Sequence, residues 1–188
     1  MPSKERLYIA LYARGGSATM PGGEDNYHWA ILIGPKKEGA GAQGKRFHAK
    51  ESMTVVNGQM QPVWQFEERD IRMEPTNMIL VRVVVGKVRK RDQVEAILRS
   101  IPVRGQTPSW NCVHWVKEAL ETLQQHQESG QRLLENYRLD WDTVRYWALW
   151  YVQYKEAEHR FDGQAAPGTF DMGKVPTYDL LKETEQTP

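Results

Sequence analysis

The chain of 188 residues contains a single cysteine, which excludes an internal disulfide framework and suits a reducing compartment. It contains no apolar run of the roughly 20 residues that a membrane-spanning helix requires. Its polar beginning, residues 1–6, does not have the form of a secretory signal. These absences predict a cytoplasmic protein without a transmembrane segment.

The chain also lacks an excess of charge of either sign. It carries 25 basic and 24 acidic side chains, a formal net charge of +1, so no overall field would recruit nucleic acid or a membrane surface. The metal-ligand spacings CxxC and HExxH are absent, and so are the glycine-rich signatures of phosphate-binding loops. The sequence therefore predicts neither a metal nor another cofactor.

Strand signals dominate the first half of the chain. They cover residues 7–12, 27–33, 46–50, 53–66 and 78–85. The fourth segment contains Asn57 and Gly58, a turn pair that indicates a hairpin. Alternation along the second segment places His28 on one face of its strand and Tyr27 and Trp29 on the other. Residues 14–26, with four glycines, form a loop long enough to act as a lid or binding loop.

Helical patterns dominate the second half. Apolar spacing predicts helices over 91–101, from about 111 to 127 and from about 140 to 161. Strands followed by helices favour an α+β fold, an antiparallel sheet with helices packed on one face. We expect one domain over residues 1–162 and a C-terminal extension, docked or partly disordered, over 163–188.

The only cysteine lies at the start of the second helix. Ser109 or Asn111 can cap this helix, and Cys112 begins the apolar stripe that continues with Val116 and Ala119. The sulfur should therefore face the interior from the first helical turn. The partial positive charge and free N–H groups of a helix start favour thiolate over thiol, so we expect Cys112 to be a nucleophile.

A cysteine nucleophile needs a base, and the base needs an orienting group. His28 lies mid-strand among apolar residues, where an unpaired imidazole would be costly to bury, and His48 lies on a neighbouring strand. Taken singly, a lone cysteine is more often a small buried hydrophobe and a strand histidine more often structural. His114 points away from Cys112 around the helix and is expected to be a surface or packing residue.

Three short motifs together resemble the circularly permuted papain-like superfamily, most closely its lecithin:retinol acyltransferase and HRAS-like suppressor branch. They are a His-Trp-Ala strand that begins at His28 and ends in glycine, a second histidine at His48, and Asn111-Cys112-Val113-His114 at a helix start. The resemblance implies a permuted papain-like fold with Cys112 as acyl-accepting nucleophile, His28 as base and His48 as orienting residue. Val113 stands where that branch carries glutamate.

The implied function is cysteine-dependent acyl transfer through a thioester on Cys112. The acyl donor would be an ester, thioester or amide, and water, an amine or a hydroxyl would accept the acyl group. The backbone N–H of Cys112 can stabilise the oxyanion. Tyr27, Tyr8 and Asn111 are further candidates for oxyanion or substrate contacts.

Two alternatives use the same residues differently. In the first, the donor is an aminoacyl ester on transfer RNA, the products are peptide bonds or cyclic dipeptides, and the basic segment 87–91 contacts phosphate through Lys87, Arg89, Lys90 and Arg91. A solvated basic turn before a helix is the simpler interpretation of that segment. In the second, the chain is a non-catalytic binding module on a papain-like scaffold.

Overall fold

The computed structural model describes residues 5–188. Residues 1–4, part of the segment used to predict the absence of a secretory signal, lie outside the described residues. Within residues 5–188, eight strands form one sheet: β1 (Glu5–Ala13), β2 (Tyr27–Pro35), β3 (Gln43–Val56), β4 (Gln59–Arg72), β5 (Ile79–Val88), β6 (Leu134–Tyr137), β7 (Thr177–Asp179) and β8 (Thr184–Thr187). The α-helices of this part of the chain are α1 (Arg91–Ser100), α2 (Cys112–Glu128) and α3 (Trp141–Ala157).

The strands lie side by side in the order β4-β3-β2-β1-β5-β7-β8, and β6 pairs with β5. Neighbours are antiparallel except β5 and β7, which are parallel. β1 lies at the centre, and both of its neighbours pair with it over most of its length. This arrangement confirms the predicted α+β class.

Alternation along β1 separates the core into two clusters. Leu7, Ile9 and Leu11 belong to the larger cluster, which also contains the apolar stripes of all three helices. Tyr8 and Tyr12 belong to a smaller cluster, which contains no residue of a helix. The three helices therefore pack on one face of the sheet, and the other face carries no helix in the described part of the chain.

β3 and β4 form a long hairpin that turns at Asn57 and Gly58. Both residues have positive φ, 50° and 79°, as a two-residue hairpin turn of this type requires. β3 pairs with β4 over its whole length but with β2 at only three positions, Ile31 to Ile33. Between the start of β2 and Ile31, β3 no longer pairs with β2, so β2 and β3 part there.

The C-terminal segment is part of the sheet. Residues 163–188, which the sequence predicts as an extension, contribute β7 and β8, and Tyr178 and Leu180 are buried in the larger core cluster. β6 has no counterpart among the predicted strands. α3 begins after Asp140, as predicted, but ends at Ala157, because the chain turns to positive φ at His159.

No helix among the described residues is both long enough and apolar enough to span a membrane.

Candidate active site

A capping box fixes the start of α2. The side-chain oxygen of Asn111 accepts the N–H of Val113 at 2.9 Å, and the N–H of Asn111 donates to Nδ1 of His114 at 3.2 Å. Asn111 is only 6% exposed. Its side chain thus holds the helix start, and its predicted role as an oxyanion or substrate contact stays a prediction. His114, predicted as a surface or packing residue, is the partner in this cap.

The sulfur of Cys112 lies where β2 and β3 part. Cys112 is 1% exposed, and the backbone N–H of Trp29 is close enough to its sulfur to lower the pKa of the thiol. Strand N–H groups point along the plane of the sheet, towards a neighbouring strand. β1 flanks one side of β2 throughout, and β3 pairs with the other side only from Ile31 to Ile33. The sulfur therefore lies near the part of β2 that β3 has left.

Cys112 is a thiol at rest. Burial raises its pKa above the ordinary 9.0, and the N–H of Trp29, the charge of Arg14 and the N–H of Val113 lower it only in part. The prediction that the helix start favours thiolate is therefore wrong for the resting protein. The reason is that loss of water around a buried thiolate outweighs the stabilisation by the helix N-terminus.

His28 and His48 form a direct pair, as the sequence predicts. Nε2 of His28 lies 2.6 Å from Nδ1 of His48, and the two rings are nearly perpendicular at 76°. His48 is buried and His28 is half-buried. The strands that carry them part at this level, which leaves room for the rings to meet.

Glu67 extends the pair into a chain of three. Its Oε1 lies 3.0 Å from Nε2 of His48 and 3.2 Å from Arg46, and its Oε2 accepts from Lys50. Hydrogen bonds from Lys50 and His48 lower the pKa of Glu67 to about 2, so it is ionised at neutral pH. Glu67 was not among the predicted site residues, although the hairpin register contains it. His48 lies nine residues before Asn57 and Glu67 nine residues after Gly58, and the two face each other.

One arrangement of protons is consistent with the hydrogen bonds that join Glu67, His48 and His28. Burial, with neighbouring positive charge, lowers the pKa of His28 to about 3 and that of His48 to about 4, so both rings are neutral. His48 must donate its Nε2–H to the ionised Glu67, which makes its Nδ1 an acceptor. His28 therefore donates its Nε2–H to His48. Nδ1 of His28 is left as an unprotonated acceptor and has no hydrogen-bond partner within residues 5–188.

Cys112 and His28 approach the gap between the strands from different sides. Trp29, next to His28, belongs with Cys112 to the larger core cluster, so strand alternation places the His28 ring on the helix-free face. Across the described residues, no hydrogen bond joins the sulfur to the His28 ring. The sulfur lies instead near the backbone N–H of Trp29, the residue that follows His28.

The two candidate tyrosines donate their hydroxyls to other partners, so their predicted oxyanion or substrate contacts stay predictions. The hydroxyl of Tyr27 donates to Glu156 of α3 at 3.0 Å. The hydroxyl of Tyr8 donates to the carbonyl of Pro35 at 2.7 Å. Tyr8 is also four residues along β1 from Tyr12, the partner of His28, a distance of about 13 Å. An oxyanion donor role for the backbone N–H of Cys112, at the start of α2, stays a prediction.

The basic segment lies far from this site. Lys87 pairs with Arg6, six residues along β1 from Tyr12, which corresponds to about 20 Å. Lys87 forms an ion pair with Glu135 at 2.7 Å, and Arg91 forms ion pairs with Glu5 and Glu95. Lys90 donates to the carbonyl of Gln131, and Arg89 is exposed. Acidic partners thus occupy two of the four residues predicted to contact phosphate.

The loop over residues 14–26 is ordered around Asp25. Its carboxylate accepts the N–H and hydroxyl of Thr19, at 2.8 and 2.7 Å, and the N–H of Met20 at 3.0 Å. Met20 packs against the larger core cluster and contacts the Asn111 side chain through its sulfur. Arg14 donates to the carbonyl of Asp25 at 2.9 Å. The loop therefore covers the start of α2, and its basic end lies close enough to Cys112 and His28 to lower the pKa of both.

The described residues also contain no assembled set of metal ligands. Among residues 5–188, no three His, Cys, Asp or Glu side chains are grouped so that they could hold a metal ion.

The chain belongs to DUF6914, a family of unknown function, whose model matches residues 4–187. No curated protein and no solved structure shows significant similarity to it.

Proposed function

We propose that the protein is a cysteine-dependent acyl-transfer enzyme with a circularly permuted papain-like arrangement. In this proposal Cys112 is the nucleophile, His28 the base, and His48 and Glu67 are positioning residues. The observation that supports it most is the hydrogen-bonded chain from Glu67 through His48 to His28, which leaves an acceptor nitrogen on His28, next to the Trp29 whose N–H lowers the pKa of Cys112. The order along the chain, two strand histidines before a helix that begins at cysteine, supports it as well.

The reaction starts from a neutral pair. As the sulfur attacks the carbonyl carbon of the donor, its proton passes to Nδ1 of His28, and the Cys112 N–H stabilises the oxyanion. The C–S bond forms, the bond to the leaving group breaks, and the leaving group takes the proton from His28. Water, an amine or a hydroxyl then attacks the thioester and restores the thiol. Glu67 stabilises the transient charge on the imidazole pair through His48.

The proposed reaction requires a movement that brings the sulfur to Nδ1 of His28, because no hydrogen bond joins them in the described structure. Hydrogen bonds between catalytic groups are often long without substrate and tighten when it binds. Because loop 14–26 contacts the start of α2 through Met20 and Cys112 is buried, we expect the donor to displace this loop.

A second candidate, the non-catalytic binding module, is favoured by one observation, the nearly complete burial of Cys112. It predicts that the sulfur never reacts with an acyl donor. No comparable observation favours transfer RNA as donor.

The test is the intact mass of the protein after incubation with activated acyl esters and acyl thioesters. We expect one adduct that hydroxylamine removes, that Cys112→Ser abolishes and that His28→Gln slows strongly. His126→Gln is the matched control, since His126 is also half-buried and lies on α2. An absence of adduct with every donor, or equal rates in His28→Gln and His126→Gln, would establish the binding module instead.

A further inference from the structure

A small cavity on the helix-free face of the sheet is lined by the buried Arg82 and the half-buried Arg46, and also by the exposed Arg72. It has a volume of about 40 Å³, and the rest of its lining includes Tyr12, Glu74, Thr76 and apolar side chains such as Leu32 and Ile79. We propose that this cavity is a binding site for a small oxyanion, a carboxylate or phosphate group. The proposal concerns binding alone and does not depend on the proposed acyl transfer.

Arg82 is the most deeply buried of the three arginines, with 0% of the residue exposed. One terminal nitrogen donates to the carbonyl of Met73 at 2.7 Å and to Glu38 at 3.1 Å. Its other terminal nitrogen is 2.6 Å from Glu38 but is not aligned for a hydrogen bond, and Nε has no partner. A buried guanidinium with unsatisfied N–H groups is unusual in a native protein and indicates a missing acceptor.

Arg46 repeats this pattern on the other side of the cavity. Its terminal nitrogen donates to Glu67 at 3.2 Å, and its guanidinium lies over the Tyr12 ring at 5.5 Å. Its Nε is buried and also lacks a partner. Two of the three arginines that line the cavity thus each have an unused Nε–H group.

The carboxylates near the cavity have partners other than the two Nε–H groups. Glu38 and Glu67 contact the terminal nitrogens of the arginines, and the Oε1 of Glu74 accepts the N–H of Gly41. No carboxylate of the described residues reaches either Nε.

The size and chemistry of the cavity favour an anion over a single water. A water needs roughly 10–15 Å³ and two to four polar partners. This cavity is larger, and the groups without a hydrogen-bond partner on Arg46 and Arg82 are all charged donors. An oxyanion needs donors only, and charged donors bind it most strongly.

The experiment observes the Nε–H groups of Arg46 and Arg82 directly. ¹H–¹⁵N spectra of the arginine Nε–H groups are recorded while inorganic phosphate or acetate is titrated at constant ionic strength, with chloride as the reference salt. We expect two of these signals to shift and to saturate with phosphate or acetate and not with chloride. Arg46→Lys, which keeps the charge but removes Nε, should weaken binding about tenfold or more.

Arg69→Lys is the matched control. Arg69 faces Arg46 in the β3–β4 register, is exposed and does not line the cavity, so this variant should bind as the unchanged protein does. Tighter binding of phosphate than of acetate would identify a phosphate group as the natural occupant, and the reverse a carboxylate. The proposal is wrong if neither anion gives a saturating shift, if chloride acts equally, or if Arg46→Lys and Arg69→Lys lose binding to the same extent.

Discussion

Replacing Glu67 by glutamine tests whether the histidine pair depends on a carboxylate. The pKa of Glu67 is about 2, against 4.5 for an ordinary glutamate. At about 1.4 kcal/mol for each pH unit, this difference favours the ionised form by about 3 kcal/mol. The side chain keeps 22% of its surface exposed, so about 1–3 kcal/mol is a reasonable loss of folding stability for Glu67→Gln at neutral pH.

The sign of the pH dependence follows from the lowered pKa. Glu67 stabilises the fold above the unfolded pKa of 4.5, and this contribution disappears as the pH falls through about 2. The variant should therefore be less stable than the unchanged protein at pH 7, and the two should converge near pH 2. Denaturant unfolding at several pH values measures this.

The rate of Cys112 acylation should distinguish the role of Glu67 from that of its neighbour Glu68. The pKa of Glu68 is also about 2 and its side chain is 24% exposed, but its partners are Lys45 and Arg99 on the helix face. Both Glu→Gln variants should lose stability, and only Glu67→Gln should slow acylation of Cys112, by about 10- to 100-fold for the loss of one charge-assisted hydrogen bond. Equal rates in the two variants would refute the positioning role of Glu67.

Three further predictions concern the start of α2. Asn111→Ala removes the cap oxygen and should lower the free energy of unfolding in urea by about 1 kcal/mol, whereas Asn111→Asp keeps an oxygen there and should lose less; equal losses would contradict the cap. Because burial raises the pKa of Cys112, the ultraviolet thiolate absorbance measured against Cys112→Ser should be absent from about pH 5 to 8 and appear only above pH 9; a thiolate signal at pH 6 would show a resting ion pair. Met20→Ala thins the cover over Asn111 and should speed alkylation of Cys112 by iodoacetamide several-fold, while the exposed control Met172→Ala should not; no change would mean that another segment limits access.

Local signals in the sequence were sufficient for the elements that carry the site. Asn57 and Gly58 mark the hairpin, Asp140 and Asn111 mark helix starts, and alternation assigns the face of His28. Each of these signals acts over a few residues, so neighbouring chain segments do not alter it. The hairpin register even contains the contact of His48 with Glu67, which counting outward from the turn would have found.

Features that depend on distant segments could not be predicted in this way. β7 joins the sheet through parallel pairing with β5, almost a hundred residues earlier in the chain, and no periodicity in residues 177–179 indicates it. The protonation state of Cys112 depends on how completely the fold excludes water from the sulfur. The helix start alone therefore predicts a thiolate. Burial of the sulfur reverses this prediction, because it raises the pKa of the thiol.

The proposed reaction depends on the point where β2 and β3 part, because Cys112 and His28 lie on different sides of the sheet. The ladder ends at the pair Ile31 and Phe47. Had it continued, a carbonyl of β3 would accept the N–H of Trp29. Because the strands separate, this N–H lies near the Cys112 sulfur instead, and His28 and His48 meet through their rings. In the proposed reaction, the separation of two strands, rather than the alignment of side chains on one face, would let the buried sulfur and the His28 ring meet.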